Sequence, residues 1–361
     1  MVSRHRKFWT SFMQGKVTRL VDGRRLRTPR GIVMSAFCAA LIVLLAACGG
    51  GTAGSGTTGS ASSAPSGGND ISGRTILFEI QSSPSDSFFV PVLNGAKTAA
   101  ATYGLKLQVQ YASNDDTTEI TQVNTALASN VAGVALSIPD PGLNKVVCAA
   151  RAKNIAVVAF NINGSSGQGA SCVQAFVGQD FVQSGQLIAQ HMIQLGQIKS
   201  GDHVFCPVEF PAQVYAVQRY AGVKQALQAI GATCEELGTG VDFGPAKSDM
   251  VSYLLGHPKT SAIIALGHTP LDQAPAATKQ INRTIPIGGF DVTQDILSSI
   301  KSGAITATVD QQPYIQGFQS ITQLALYLKY GLSPANINTS TGALIDKNNV
   351  DQVVNLVGTY R

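Results

Sequence analysis

The sequence has almost no tryptophan: its one indole, Trp9, lies near the start, and none follows. It also lacks the motifs of common enzymes and metal sites. No GxSxG or HExxH motif is present, no Ser-His-Asp order is apparent, and no CxxC pair or His-Cys cluster has metal-ligand spacing. We therefore expect no enzyme activity, no metal and no cofactor.

The first 47 residues predict a secretory signal. Residues 1–30 hold nine Arg or Lys and one acid, Asp22, and the apolar run 32–47 is short for a bilayer span of about 20 residues. The Leu-Ala-Ala-Cys stretch ending at Cys48 resembles the lipobox of bacterial lipoproteins. That resemblance implies cleavage before Cys48, lipid on this residue and anchoring to the extracytoplasmic face of the cell membrane. An ordinary secretory signal with a coincidental cysteine is the alternative.

The net charge changes sign when this leader is removed. Subtracting its nine basic residues and one acidic residue from the totals of 26 and 21 leaves 17 and 20, so the net charge moves from +5 to −3. The apparent basicity belongs to the leader, and we expect no nucleic-acid partner.

The cysteine count fits an oxidising compartment. Cys38 would leave with the signal and Cys48 would carry lipid, so four thiols remain. An even number outside the cytoplasm suggests two disulfides, and the most economical pairing brackets one strand-helix unit each: Cys148 with Cys172, and Cys206 with Cys234. Four buried free thiols are the alternative.

The rest of the chain reads as a linker followed by an α/β body. Residues 48–71 are a flexible Gly/Ser/Thr linker, and from residue 74 short apolar runs alternate with helical periods. This alternation predicts two doubly wound parallel-sheet lobes joined by a hinge. We expect the first lobe at 72–177 plus about 310–333, and the second at 178–309 plus about 334–361. Strands are predicted over 75–80, 106–111, 132–138, 155–160, 173–178, 203–208, 261–266, 285–290 and 305–310.

Polar and aromatic residues collect just after these strands. In doubly wound sheets, ligands bind at the carboxyl ends of the strands. Amides, carboxylates and a guanidinium suit ligand hydroxyl groups, and aromatic faces suit the C–H face of a sugar or polyol. The candidate ligand-binding residues are Asp86, Phe88, Phe89, Asn161, Gln179, Glu209, Arg219, His268, Asp291, Gln311 and Gln312.

Several stretches, taken in order, carry a resemblance over some 250 residues. They are SFFVPVLNGAKTAA, IAVVAFN, FVGQDFVQSGQLIA, VQRYAGVKQAL, IGGFDVTQDILSSIKSGAITATVDQQPYIQG and LYLKYGL. Their order and spacing resemble the periplasmic sugar-binding proteins of ABC transporters, of the ribose-binding type. The resemblance implies a type I periplasmic binding protein fold, solute capture by two closing lobes and delivery to a membrane permease, without chemistry on the ligand.

The resemblance also implies roles for single residues. Phe88 and Phe89 match the aromatic clamp of the family, and Asp86 matches a polar contact before it. Arg219 matches a hydroxyl-binding arginine and Asp291 an acidic ligand contact. The amide that the family places near the hinge is Gln311.

Two departures bear on the ligand. Asn161-Ile162 stands where pentose binders of this type carry Asp-Arg, and Gly267-His268 replaces Asn-Asp. With tryptophan absent from the mature chain, stacking would fall to Phe88, Phe89 or a tyrosine such as Tyr215. We expect a small pentose, a tetritol or another linear polyol.

The sequence therefore predicts a lipid-anchored, monomeric solute-binding protein that serves an ABC permease. A receptor subunit that passes sugar binding to a membrane sensor kinase or chemoreceptor is the alternative, since closure of the same lobes would serve both. A DNA-binding regulator on this fold would need an N-terminal headpiece, where this sequence has a lipobox and a linker.

Overall fold

The computed structural model describes residues 67–164, 172–340 and 343–361, which lie within one compact unit. The predicted signal, the lipidation site Cys48 and most of the linker lie outside the described residues. Asn69 donates hydrogen bonds from its backbone and its side chain to the carbonyls of Lys329 and Leu328, and Ile71 is buried. The folded body therefore includes the last residues of the predicted linker. Among the described residues, no helix has the length and apolar character to cross a membrane.

Strands and helices alternate along the described chain. The strands are β1 (Thr75–Ile80), β2 (Lys106–Tyr111), β3 (Gly133–Ile138), β4 (Ala156–Asn163), β5 (Ala175–Gly178), β6 (His203–Val208), β7 (Thr233–Gly238), β8 (Thr260–Ala265), β9 (Ile287–Phe290), β10 (Ala307–Val309), β11 (Ile337–Asn338) and β12 (Leu344–Asp346). The helices are α1 (Phe89–Tyr103), α2 (Asp116–Ala128), α3 (Asn144–Ala152), α4 (Phe181–Gln194), α5 (Val214–Gln228), α6 (Phe243–Gly256), α7 (His268–Gln280), α8 (Gln294–Ser302) and α9 (Pro313–Tyr330).

The described strands form two sheets with matching topology. The first has the order β11-β5-β4-β3-β1-β2 and the second β12-β10-β9-β8-β6-β7. All pairs are parallel except β10 with β12, which is antiparallel. In each sheet the chain starts at an inner strand, β1 or β6, and later strands are added first on one side of it and then on the other. Doubly wound sheets have a crevice at this point. The predicted fold class is confirmed.

Burial explains which strands the sequence reveals. A parallel strand covered by helices on both faces needs apolar residues throughout, and every residue of β3 is buried. β7 lies at a sheet edge, is partly exposed and carries Glu235 and Glu236, so it has no apolar run. Sequence patterning missed it, together with the very short β11 and β12.

Two glycines allow α1 and α9 to pack with their backbones in contact. A Cβ atom on Gly317 would overlap the carbonyl oxygen of Val92, and one on Gly95 would overlap that of Tyr314. Only glycine permits this approach, because any larger residue would have to separate the two helices. The pair covers one face of the first sheet, where Phe78 lies in the shared core.

The chain passes between the sheets at three places. The described residues of these crossings, which we call the hinge, are 179–180, 310–312, 339–340 and 343. Side chains bond these crossings to one another. The Gln179 amide donates to the Asp310 carbonyl at 3.0 Å, and the Gln312 amide donates to the Thr339 carbonyl at 2.8 Å. The last crossing departs from the expected lobe boundary, because β11 pairs with β5 in the first sheet and only β12 joins the second.

The cysteines follow the expected pairing in one case. Cys148 in α3 and Cys172 are joined by a disulfide. Cys206 and Cys234 are both free thiols, so the second expected disulfide does not form in the structure. Cys234 pairs across the strands with Val204, two residues before Cys206, and the two thiols interact side by side without a covalent bond.

Candidate functional site

A cleft of about 510 Å³ lies where the carboxyl ends of the strands of both sheets meet. The topology brings most of the predicted ligand residues to its walls, because equivalent loops of the two doubly wound sheets face each other there. The predicted residues that line it are Asp86, Phe88, Phe89, Asn161, Glu209, Arg219, His268, Asp291 and Gln311.

Arg219 is the most deeply buried charged group of the cleft, with 1% of its surface exposed. It lies on α5, and its guanidinium donates to the Leu266 carbonyl at 2.6 Å and lies 3.8 Å from an Asp291 carboxylate oxygen. Its Nε and second terminal nitrogen have no hydrogen-bond partner. Burial lowers the pKa of Arg219 and the Asp291 carboxylate opposes that shift. The cleft therefore holds a buried cation with donors to spare.

Aromatic rings surround this guanidinium. The Arg219 carbon Cζ lies 4.2 Å from the centre of the Phe290 ring and 5.2 Å from the rings of Phe181 and Tyr215. Such cation–π contacts fix the plane of the guanidinium and favour its charged form. The orientation of its free donors is thus set before a ligand arrives.

Glu209 is held by three neighbours on the wall of the second lobe. Its carboxylate accepts from the Tyr215 hydroxyl at 3.0 Å and from the Thr269 backbone N–H at 2.9 Å, and His268 Nδ1 lies 3.7 Å away. Gly267 leaves room for this carboxylate, because a Cβ atom there would overlap it. Burial raises the pKa of Tyr215, and the nearby Glu209 carboxylate adds to the shift. The phenol therefore stays protonated and keeps Glu209 oriented.

Gln311 connects the two lobes across the floor of the cleft. Its amide nitrogen donates to an Asp291 carboxylate oxygen at 2.5 Å, and its amide oxygen accepts from the Asn161 side chain at 3.4 Å. Asn161 and Asp291 both have positive φ angles, of 62° and 76°. Left-handed backbone in residues other than glycine is uncommon and concentrates at functional sites.

The loop after β1 supplies the aromatic wall. Asp86 accepts from the Ser82 hydroxyl at 2.7 Å and from the Phe88 backbone N–H at 3.0 Å, so it shapes the loop as well as lining the cleft. The rings of Phe88 and Phe89 pack edge to face with centroids 5.0 Å apart. Phe89 is buried in the core of the first lobe, and Phe88 is only partly covered. Phe88 is thus the ring with free surface toward a ligand.

Two predicted ligand residues lie in the hinge instead of the cleft. Gln179 is buried against Asp310, and Gln312 begins α9 with a φ angle of 54°. Neither borders the cleft. Sequence position alone could not separate them from cleft residues, because a hinge crossing also follows the end of a strand.

The cleft also contains residues that the sequence analysis did not select. Asn114 follows β2 and has a φ angle of 60°, while Gln213 and Phe210 lie in the loop after β6. Asn114 could have been predicted in the same way as the other candidates, because it lies just after the carboxyl end of a strand. The others escaped because the loop after β6 is longer than the single position considered there.

In the described part of the chain, no three His, Cys, Asp or Glu side chains lie close enough together to hold a metal ion. The cleft instead offers a cation with unpartnered donors, three carboxylates, five amides and an aromatic face. This set suits recognition of several hydroxyl groups at once.

Comparisons with known proteins agree with this geometry. A family model described as periplasmic binding protein domain matches residues 80–332. The xylose/arabinose-binding protein of Sulfolobus acidocaldarius is 26% identical over 284 residues, which cover 73% of this chain and 69% of that protein. The ribose import binding protein of Bacillus subtilis is 26% identical over 240 residues, covering 64% and 75%.

A solved structure extends the likeness to three dimensions. The carbohydrate transporter of Acidothermus cellulolyticus, in complex with myo-inositol, is 28% identical, has a TM-score of 0.71, and covers 80% of this chain and 99% of that one. The chain belongs to the periplasmic binding protein family, and like its relatives it is a substrate-binding protein and not an enzyme.

Proposed function

We propose that the chain is a lipid-anchored solute-binding protein that captures a small neutral sugar or polyol for an ABC importer. The two lobes close about the hinge on the ligand, and the closed form delivers it to a membrane permease. The folded body acts as a monomer.

The observation that carries the proposal is the pair of unpartnered donors on Arg219. A buried polar group without a partner costs free energy, and the cost is larger for a charged group. A ligand hydroxyl in the cleft would accept from these donors and remove that cost. Ligand binding and relief of an unsatisfied guanidinium would then be the same event.

The charges of the cleft disfavour an anionic ligand. Asp86, Glu209 and Asp291 face the cleft with Arg219, so carboxylates outnumber the guanidinium. An anionic ligand would meet net repulsion, whereas hydroxyl groups can donate to carboxylates and accept from the guanidinium. Phe88 adds an apolar face for the C–H side of a ring or chain.

The size of the cleft and the relatives narrow the ligand class. A volume of about 510 Å³ is at the lower end of small-molecule sites. The relatives are named for xylose, arabinose and ribose, and the structural neighbour holds myo-inositol. These support a pentose, a linear polyol or a cyclic polyol of similar size.

The lipid anchor rests on the sequence ending at Cys48. The unaltered protein, expressed in a bacterial host, should incorporate a labelled fatty acid, whereas a Cys48→Ser variant should not. Absence of label from the unaltered protein would contradict the lipid anchor and leave the binding proposal untouched.

Ligand capture is tested by a thermal-shift panel on the purified protein without its predicted signal. The panel contains pentoses, hexoses, linear polyols and myo-inositol. A ligand at 100 times its Kd stabilises the folded state by about 2.7 kcal/mol, which gives a shift of several degrees. Native mass spectrometry of the untreated preparation identifies any ligand that co-purifies. A full panel without a shift would contradict the proposal.

A further inference from the structure

The last residues of the sequence make a fourth connection between the lobes. We call residues 357–361 the strap. Before it, Val350 and Val353 are buried in the core of the second lobe, and Val357 packs against the same core. The strap then reaches the first lobe.

Two contacts attach the strap to the first lobe. The Asn94 amide on α1 donates to the Thr359 carbonyl at 3.3 Å. The ring of Tyr360 packs on the ring of Tyr314 in α9, with centroids 4.8 Å apart. The strap therefore spans the lobes next to the hinge without being one of its three crossings.

Arg361 ends this path in an ion pair with Asp310, inside the hinge. The Asp310 side chain is 2% exposed. Its carboxylate also accepts from the Gln312 backbone N–H at 2.8 Å, and its own carbonyl accepts from Gln179. The charged groups that act on this carboxyl are Arg361, which favours its ionised form, and Asp291, which opposes it. Without Arg361, a buried carboxylate next to another acid would have no cation.

Asp310 directly precedes Gln311, and its carboxylate accepts from the backbone N–H of Gln312 on the other side. Gln311 in turn joins Asn161 and Asp291 across the cleft floor. Arg361 does not line the cleft; it lines a second cavity of about 130 Å³ that adjoins the cleft and shares Phe88, His268 and Asp291 with it. Arg361 therefore has a route to the ligand site through Asp310 and lies outside the cleft.

We propose that Arg361 is a positioning residue of the ligand site, which holds the hinge segment 310–312 through its ion pair with Asp310 and so places Gln311. The inference rests on the proposed function, since it assigns a role in solute binding. It predicts that the charge of Arg361 matters for affinity although the side chain does not contact the ligand.

The test compares variants of one ion pair with a matched control. Arg361→Gln removes the charge, Arg361→Lys keeps it, and the double variant Arg361→Gln with Asp310→Asn removes both charges. The control is Lys301→Gln, which removes a cation from an exposed ion pair with Asp351 in the same lobe. If Arg361→Gln alone does not fold, the double variant, which leaves no unpaired charge at the pair, carries the comparison with Arg361→Lys.

Two measurements are made on each variant. Hydrogen exchange over residues 307–316 of the ligand-free protein measures the protection of the hinge segment, including the backbone N–H of Gln312. Calorimetric affinity for the ligand identified by the panel reports the site. We expect Arg361→Gln to lose hinge protection and to bind about tenfold more weakly, because its effect reaches the ligand site only through Asp310 and Gln311. Lys301→Gln should stay close to the unaltered protein, and Arg361→Lys should recover most of the loss. The double variant should recover only the part that comes from the unpaired charge of Asp310.

Unchanged hinge exchange and affinity in Arg361→Gln would overturn the inference. So would weaker binding by the double variant than by Asp310→Asn alone, because Arg361 would then act by a route other than Asp310. General loss of protection in both lobes would indicate a merely structural role and would also overturn it. If the unaltered protein binds nothing in the panel, the proposed function fails, while the exchange measurement still decides the role of Arg361 in the hinge.

Discussion

Asn161 and Asp291 occupy corresponding places in the two lobes, and one side chain, that of Gln311, bonds them both. Each follows a buried phenylalanine near the end of the fourth strand of its sheet, and each has a positive φ angle. The two sheets thus present an amide and a carboxylate to the same point from opposite sides. A residue of the hinge ties them together.

Replacing Gln311 by leucine should weaken ligand binding. Leucine keeps the volume but leaves the Asn161 amide and the Asp291 carboxylate without this partner, and each unpaired buried group costs about 1–3 kcal/mol. We expect at least a tenfold rise in Kd by calorimetry. Gln190→Leu, at an exposed position on α4, is the control. An affinity unchanged in Gln311→Leu would remove this bridge from the binding mechanism.

Arg219→Met should abolish most of the affinity while the protein still folds. Methionine keeps much of the apolar stem among Phe181, Tyr215 and Phe290, but it removes the unpartnered donors of the guanidinium. We expect about a 100-fold loss in calorimetric affinity, the scale seen when a buried charged contact is truncated. Arg151→Met on α3 serves as the control. Normal binding by Arg219→Met would exclude the guanidinium as a ligand contact.

Replacing the adjacent rings of Phe88 and Phe89 one at a time should affect different properties: ligand affinity for Phe88 and folding stability for Phe89. Phe89→Ala empties a core position and should lower the free energy of unfolding by about 3–5 kcal/mol. Phe88→Ala should cost little stability but should weaken binding, because its ring faces the cleft. Urea unfolding and calorimetry on both variants give the two quantities. The reverse pattern would assign the ligand to the other ring.

Stability should fall as pH rises, because of two buried carboxyl groups in the first lobe. Burial raises the pKa of Glu79 to about 8, and burial with the nearby Glu79 carboxylate raises that of Glu119 to about 9. Both are protonated in the folded protein at neutral pH but ionise in the unfolded chain above 4.5. Their contribution is therefore complete below pH 4.5 and is lost progressively up to about pH 9.

Glu119→Gln tests this pH dependence. The variant should reduce the loss of unfolding free energy between pH 5 and 9 by several kcal/mol, since one pKa unit corresponds to about 1.4 kcal/mol. Urea unfolding at several pH values measures it. Asp249→Asn, at an exposed position on α6, should follow the unaltered protein. Parallel curves for all three proteins would show that Glu119 is ionised in the folded state.

The cysteines should divide into one linked pair and two alkylatable thiols. Peptide mapping of the protein, alkylated after denaturation without reductant, should find Cys148 linked to Cys172. Cys206 and Cys234 should carry the alkylating label, because they are free in the structure. A peptide that links Cys206 to Cys234 would restore the pairing expected from the sequence.

The sequence predicts the architecture well because central parallel strands need unbroken apolar runs. The buried β3 is found from its residues alone, whereas the edge strand β7, with Glu235 and Glu236, has no such signal. The sequence also did not predict the strand β12 or its antiparallel pairing, because three residues are too few to show a periodic pattern.

The residues that line the cleft are predicted less completely than the fold. Gln179 and Gln312 follow strands as cleft residues do, but the chain crosses between sheets there, and only the three-dimensional path shows it. The contact of Arg361 with Asp310 joins residues far apart in sequence and follows no local pattern. Local patterns report strands and their ends, and they do not report which ends turn into a hinge.

The backbone contact of α1 with α9 has a mechanical consequence. α9 starts at Pro313, directly after the hinge residue Gln312, and α1 starts directly after Phe88. Helices that touch at Gly95 and Gly317 cannot slide past each other without overlap. They behave as one rigid body, and the hinge and the aromatic wall lie at the same end of it, because Phe88, Pro91, Asp310 and Pro313 line one small cavity. A few degrees of rotation at the hinge would carry the ring of Phe88 toward or away from the opposite lobe.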